Sequence, residues 1–258
     1  MLFRANVKRS GGVMQQCLLN VQKLVIGYRN LSQVRALTQP ISCMVSSGSL
    51  IALLGPNGTG KTTLLKTLSG LHAPISGEIE LCGKTLSTLS ARRKSELVGV
   101  VFPQNMARPN LTVSEYVMMG FYRTLSWNGI LSAEDEKRRS ELLTQFALDS
   151  LADRRIGVLS DGEFQRAELA RVMAQSTPLV VMDEPTAHLD YPSRHLIMRM
   201  LKELVAQLGV SIIVSTHEVD MIKDYADQFW TLDKKGGFQS HSSLSAALLN
   251  EVYDTQIF

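Results

Sequence analysis

Residues Leu50-Ile51-Ala52-Leu53-Leu54 form a continuous apolar run that ends at Gly55-Pro56-Asn57-Gly58-Thr59-Gly60-Lys61-Thr62, and Lys61 to Leu68 then have the composition of a helix start. An apolar run without alternation indicates a strand covered on both faces, so the fold must place a layer on either side of it. The eight residues after the run fit G-x-x-x-x-G-K-[ST] at every fixed position, in the strand, loop, helix order that this pattern needs. Gly58 and Gly60 can take positive φ, which lets backbone N–H groups approach phosphate oxygens with no Cβ in the way. Lys61 then supplies a point charge to the β- and γ-phosphates, and the Thr62 hydroxyl a ligand to Mg2+. The plain alternative is a glycine-rich turn before a helix, and the order of strand, loop and helix argues against it.

Three further apolar runs stand out: Val98-Gly99-Val100-Val101-Phe102, Leu179-Val180-Val181-Met182 and Ser211-Ile212-Ile213-Val214. They too read as strands of a mainly parallel sheet with flanking helices. Over residues 193–208, Leu196, Ile197, Met200, Leu201, Leu204, Val205 and Leu208 recur at helical spacing, with Gly209 as a stop. Residues 17–28 and 41–45 have β character and suggest an N-terminal antiparallel β subdomain. Residues 105–158 show helix starts instead, with Thr112-x-x-Glu115 and Ser132-x-x-Asp135 as capping signals, and read as an inserted helical subdomain. Gly236-Gly237 reads as a late turn. The expected fold class is α/β, one domain over residues 17–258 preceded by an extension at 1–16.

Bulk properties exclude several classes. The 258 residues are 45% apolar and 20% charged, which is ordinary globular composition, and a net charge of +3 is too small to argue for nucleic acid. Cys17, Cys43 and Cys82 form no C-x-x-C pair, so neither a disulfide framework nor a zinc site is suggested, and a reducing cytosol fits. No run approaches the length of a membrane-spanning helix. Gly11, Gly12, Gln15 and Gln16 interrupt any signal-peptide core, and translation from Met14 is as readable as translation from Met1.

Leu179-Val180-Val181-Met182 ends in Asp183-Glu184. Alternation along a strand lets the two carboxylates point differently, Asp183 toward Mg2+ and Glu184 toward a water near the γ-phosphate as general base. A pair of exposed carboxylates opening a loop before Pro185 is the alternative. Ser160-Asp161-Gly162-Glu163 is a capped helix start, and such an end favours anions. Alone it is only a helix terminus. His72, His188, His195 and His241 show no metal-ligand spacing.

Taken in order, these stretches resemble the ATP-binding-cassette ATPase family over nearly everything from residue 17 onward. Tyr28 stands where the family stacks an aromatic on adenine, and Gly55 to Thr62, with Thr63 following, is the Walker A loop. Gln104, in Val101-Phe102-Pro103-Gln104, is similar to the Q-loop, and Leu159-Ser160-Asp161-Gly162-Glu163 to the signature. Asp183 and Glu184 resemble Walker B, Leu189-Asp190 the D-loop, and His217 in Ser215-Thr216-His217 the switch histidine. The resemblance implies ATP and Mg2+ as ligands. Lys61, Gln104, Glu184 and His217 would be catalytic, Thr62, Gln104 and Asp183 would hold the metal, and Ser160, Gly162 and Asp190 would contact nucleotide. Tyr28 as a strand-end aromatic, Gln104 as a loop residue and His217 as a core histidine remain open when each is read alone.

The signature departs from the family's Leu-Ser-Gly-Gly-Gln, since Asp161 replaces a glycine and Glu163 the glutamine. Asp161 is expected to point away from phosphate, leaving Ser160 and the Gly162 N–H available. The resemblance further implies a homodimer with two ATP molecules between two copies. Residues 112–127, 131–135, 151–155 and 187–190 resemble the coupling region of importer ATPases for iron-siderophore, haem and vitamin B12. Gly120-Phe121-Tyr122-Arg123 stands where that group often has Gly-Arg-Tyr-Pro. The implied partners are an integral membrane permease and, indirectly, a secreted substrate-binding protein, with no nucleic acid. The implied location is peripheral, on the cytoplasmic face of the inner (plasma) membrane. An exporter or lipid-transporter subunit stays open. A soluble non-transport member of the family is disfavoured by the absence of a second cassette, a long heptad arm or a basic tail.

Overall fold

The computed structural model describes residues 17–29, 33–103 and 108–254. The extension at 1–16 and Gln104 lie outside the described residues. In chain order the first elements are β1 (Cys17–Val25), β2 (Gly27–Arg29), β3 (Val34–Ala36), β4 (Ile41–Ser46) and β5 (Leu50–Leu54). Helix α1 (Lys61–Leu68) leads to β6 (Ser76–Leu81), β7 (Lys84–Thr85), α2 (Ala91–Leu97) and β8 (Val98–Val101). The middle of the chain holds α3 (Val113–Met118), α4 (Ala133–Gln145) and α5 (Asp161–Ala174). Then come β9 (Leu179–Asp183), α6 (Tyr191–Leu208), β10 (Ser211–Ser215), α7 (Val219–Ile222), β11 (Gln228–Leu232), β12 (Phe238–His241) and α8 (Ala246–Tyr253).

The larger sheet has the order β12-β11-β5-β10-β9-β8, parallel throughout except for the β11–β12 pair. Every residue of β5, β9 and β10 is buried, as expected of strands covered on both faces. Leu50, Ala52 and Leu54 face one core with Met182, Val214 and the apolar sides of α3 to α6. Ile51 and Leu53 face the other, with Val181, Ile213 and Leu64, Leu65 and Leu68 of α1. That second core is closed by an antiparallel sheet of order β4-β1-β6-β7, which contributes Leu19, Val21, Ile79 and Leu81. The result is an α/β fold of stacked layers, with the phosphate-loop strand inside the central one.

Three features modify the sequence expectation. The antiparallel subdomain is not wholly N-terminal, because β6 and β7 come after α1 and complete it. Their segment Ser76-Gly77-Glu78-Ile79-Glu80-Leu81 is half polar, and only the alternation of Ile79 and Leu81 marks a strand. The central sheet also gains β11 and β12 around the Gly236-Gly237 turn. The helix expected over 193–208 begins earlier, at Tyr191, where Asp190 caps it, and stops at Gly209 with φ +66°.

Residues 108–158 form the helical insertion and share the apolar core of the main sheet. Tyr116 donates a hydrogen bond to buried Glu168 of α5, and Arg171 lies over the Tyr116 ring. The closest approach is at Gly120, where a Cβ would stand 2.2 Å from the Arg171 carbonyl oxygen and 2.5 Å from Ala174 Cβ. Glycine there lets the insertion seat on α5. Gly120→Ala should lower stability by about 1–3 kcal/mol through overpacking. Gly157, with nothing within 4 Å of its added Cβ, should tolerate alanine. Urea denaturation of the two variants checks this, and an equal effect at both positions would contradict it.

Candidate active site

The C-terminal ends of β5 and β9 open into a cleft of about 580 Å³ lined by Tyr28, Asn57, Lys61, Thr62, Asp183 and Glu184 among others. This is where a parallel sheet presents its ligand crevice. Gly58 and Gly60 have φ of +80° and +104°, in the left-handed region that the sequence leads one to expect. Helix α1 starts immediately after them without any side-chain cap, whereas α2 to α6 and α8 are each capped by a Ser, Thr or Asp. An uncapped helix start preceded by such glycines presents backbone N–H groups and a positive partial charge to an anion.

Lys61 is nearly buried, and its Nζ donates to the carbonyls of Gly55 at 2.8 Å and Pro56 at 3.1 Å. Burial pulls its pKa down, against the opposing influence of Glu184 and Asp183. Thr59 Oγ1 donates to the Pro56 carbonyl at 3.0 Å, which folds the loop on itself. Gly55 lies so close to β11 that a Cβ would meet the Leu232 carbonyl at 2.2 Å.

Asp183 is buried and accepts two short hydrogen bonds, from Thr62 Oγ1 at 2.6 Å and from Ser215 Oγ at 2.5 Å. Ser215 also accepts from the Glu184 N–H at 3.0 Å, so one hydroxyl on β10 positions both acidic residues. The Glu184 backbone turns out of the strand with φ +50°. His217 Nδ1 stands 3.7 Å from Glu184 Oε2, too long for a direct hydrogen bond. On its other side Nε2 is 3.7 Å from Glu218, and Glu218 is held by Arg194, which also donates to the Leu189 carbonyl at 2.7 Å. Tyr28 is half exposed, with its hydroxyl 2.9 Å from Thr63 Oγ1 and its ring edge-on to His72.

Ser160, Gly162 and Asp190 are not in this cleft. They line a separate hollow of about 480 Å³ with Asp161, Glu163 and Ser193, and the two share no residue. Ser160 and Glu163 form the expected capping box, and the Ser160 hydroxyl is also bonded to Glu163 Oε2 at 2.9 Å. These bonds hold the Glu163 carboxyl below its ordinary pKa. Asp190 caps α6 through the Ser193 N–H at 3.1 Å, and bonds from Ser193 lower its pKa likewise. The Asp161 carboxylate is exposed and paired with Arg108.

Sequence reasoning missed Ser215, Arg194, Arg108 and the cleft residues Arg35 and Pro103. For Ser215 a signal existed, a hydroxyl closing an apolar strand beside the His217 triplet. Arg35 is placed by the β2–β3 hairpin, where it pairs with Tyr28. Among the described residues no helix is long and apolar enough to cross a membrane, and no group of three or more His, Cys, Asp or Glu is arranged to hold a metal. Cys17, Cys43 and Cys82 are free.

Residues 38–187, more than half of the chain, match the family model described as ABC transporter. An uncharacterized ABC transporter ATP-binding protein of Haemophilus influenzae is 34% identical over 222 residues, covering 86% of this chain and 82% of the relative. The petrobactin import ATP-binding protein YclP of Bacillus subtilis is 29% identical over 240 residues, covering 90% and 94%. Among solved structures, a metal-chelate type ABC transporter in an inward-facing conformation superposes with a TM-score of 0.78 at 25% identity, covering 92% of this chain and 89% of that one.

Ser215→Ala removes one of the two hydroxyl donors to a buried carboxylate and the side-chain acceptor of the Glu184 N–H. It should lower stability by about 1–3 kcal/mol. Urea denaturation checks this, and a loss indistinguishable from zero would show that Asp183 does not depend on the bond.

Proposed function

Because the chain belongs to the ABC transporter family, we propose that it is the ATP-hydrolysing subunit of an importer that drives uptake of an iron chelate, haem or a cobalamin-like cargo through a membrane permease. The cargo class is supported by the petrobactin import relative and by the metal-chelate type structural neighbour. The assembly is supported by one observation above the others. The start of α5 and Asp190 sit in a hollow of their own, away from the phosphate loop, so one chain holds two half-sites. Two copies facing each other would complete both, with Ser160 and Gly162 of each reaching the ATP on the other's phosphate loop.

In this reading the N–H groups at the start of α1, from Gly58 to Thr62, cradle the β- and γ-phosphates, and Lys61 exchanges its loop carbonyls for phosphate oxygens. Thr62 and Asp183, whose oxygens lie side by side at 2.6 Å, suit a hard cation, and with Gln104 they would hold Mg2+. Bound there, the ion would neutralise charge on the phosphate oxygens. Tyr28 supplies the adenine platform. Glu184 takes the proton from an attacking water as the new bond to the γ-phosphorus forms and the bond to the bridging oxygen breaks, with ADP leaving with the electron pair. His217, beside Glu184, holds the water and a γ-phosphate oxygen.

The closure and reopening of the pair would then move a permease bound at the helical insertion. The subunit would sit peripherally on the cytoplasmic face of the membrane, with a secreted binding protein delivering cargo on the other side. Extraction in detergent should bring a polytopic permease out with this chain, whereas fractionation with ribosomes or nucleic acid would argue for a soluble role. Glu184→Gln should reduce turnover by about 10²–10⁴-fold, the range for loss of a general base. The same variant should accumulate as an ATP-bound dimer by light scattering. If it stayed monomeric in excess ATP, the two-copy site would be wrong.

A further inference from the structure

Helix α5 opens with two acidic residues in its first turn, Asp161 and Glu163, at the place where the composite-site reading above brings in a partner copy's triphosphate. Glu163 is occupied by the cap, since its Oε2 accepts from the Ser160 N–H at 2.8 Å and from the Ser160 hydroxyl at 2.9 Å. Asp161 takes no part in the cap. Its side chain is 64% exposed, and one of its oxygens is held by the Nη2 of Arg108.

Arg108 is the more constrained partner, with a side chain 26% exposed. Its Nη1 donates to the Leu159 carbonyl at 2.6 Å, and its guanidinium lies 4.4 Å from the centroid of the Phe164 ring. Leu159, Asp161 and Phe164 bracket Ser160 and Gly162 along the chain, so one planar group touches the helix start at three points around them. Two hydrogen bonds and a stacked face are a combination that a lysine ammonium does not reproduce.

We propose that Arg108 is a positioning residue for ATP hydrolysis, cancelling the charge of Asp161 and holding the α5 start in the form that receives the partner copy's γ-phosphate. The proposal rests on the composite-site reading. An uncompensated carboxylate in the first turn would offset the positive end of the helix dipole and repel the triphosphate. With Arg108 in place the pair is close to neutral, which is how the chain tolerates an acidic residue at a position where the family usually has glycine. Exposed ion pairs add little to folding stability, so the effect belongs to ATP capture and not to the fold.

The test is a double-mutant comparison of Arg108→Ala, Asp161→Gly and the two combined, with steady-state hydrolysis as the readout and thermal melting to confirm the fold. Arg108→Ala should raise KM for ATP by about tenfold with kcat changed by less than about threefold. In the Asp161→Gly background the same substitution should raise KM by less than about threefold, because the charge it leaves unpaired is gone. Arg108→Lys, which keeps the charge but not the two hydrogen bonds and the stacked face, should recover only part of the KM. If Arg108→Ala melts below the assay temperature, Arg108→Gln carries the comparison. An equal rise in KM in both backgrounds overturns the proposal, as does an unchanged KM for Arg108→Ala. ATP-driven dimerisation of Glu184→Gln, measured alongside, separates this from failure of the composite site, since loss of that dimer overturns the reading on which the proposal rests.

Discussion

The geometry of the phosphate site hangs on one buried carboxylate. Asp183 accepts hydrogen bonds from Thr62 at the start of α1 and from Ser215 at the end of β10. With Ser215 in register with Asp183, these two bonds join the end of β9 to the end of β10 and to the start of α1, the helix that follows β5. A buried carboxylate with one donor missing would be left partly unsolvated, which is unfavourable by a few kcal/mol or more. The loop, the acidic pair and the His217 segment are therefore positioned together rather than one by one, and Glu184 inherits its place from the same Ser215 hydroxyl.

The starts of α1 and α5 are built in opposite ways. At α1 no side chain competes with an incoming phosphate, and no acidic residue stands in the first turn. At α5 the cap is complete and carries two carboxylates, one folded into the cap and one matched by an arginine from the insertion. The first start leaves its N–H groups without a side-chain cap. Near the second, another arginine, Arg194, ties the Leu189 carbonyl to the residue after His217.

Much of the central sheet was readable because its strands are continuous apolar runs, and burial on both faces leaves no polar residue to blur them. Leu50 to Leu54 and Leu179 to Met182 are apolar runs of strand length, too short for a buried helix. The capping boxes at Thr112 and Ser160 were readable for a similar reason, since a hydroxyl and a carboxylate three residues apart satisfy each other locally. Strand β6 was not readable, because a sheet with one exposed face needs only Ile79 and Leu81 inward and fills the rest with Ser, Gly and Glu. Strand β11 was overlooked although Phe229, Trp230 and Leu232 are apolar, since Thr231 and the charged flanks shorten the run. Within the site, residue types were legible and partners were not. Nothing local in Arg108 or Ser215 says which distant carboxylate each will meet, as those pairings arise from sheet order and from the seating of the insertion.

The uncapped start of α1 and the inward-folded Lys61 have a thermodynamic consequence. Among the described residues, every other helix of six residues or more begins with an N–H committed to a side-chain cap, and this one does not. Binding energy gained there is gained by the folded chain alone, because the left-handed glycines and the side-by-side pairing of β5, β10 and β9 that assemble the loop do not exist in the unfolded ensemble. By mass action the melting temperature then tracks free nucleotide, rising by an amount set by RT ln(1 + [L]/Kd). A copy without nucleotide is then also the copy most readily unfolded.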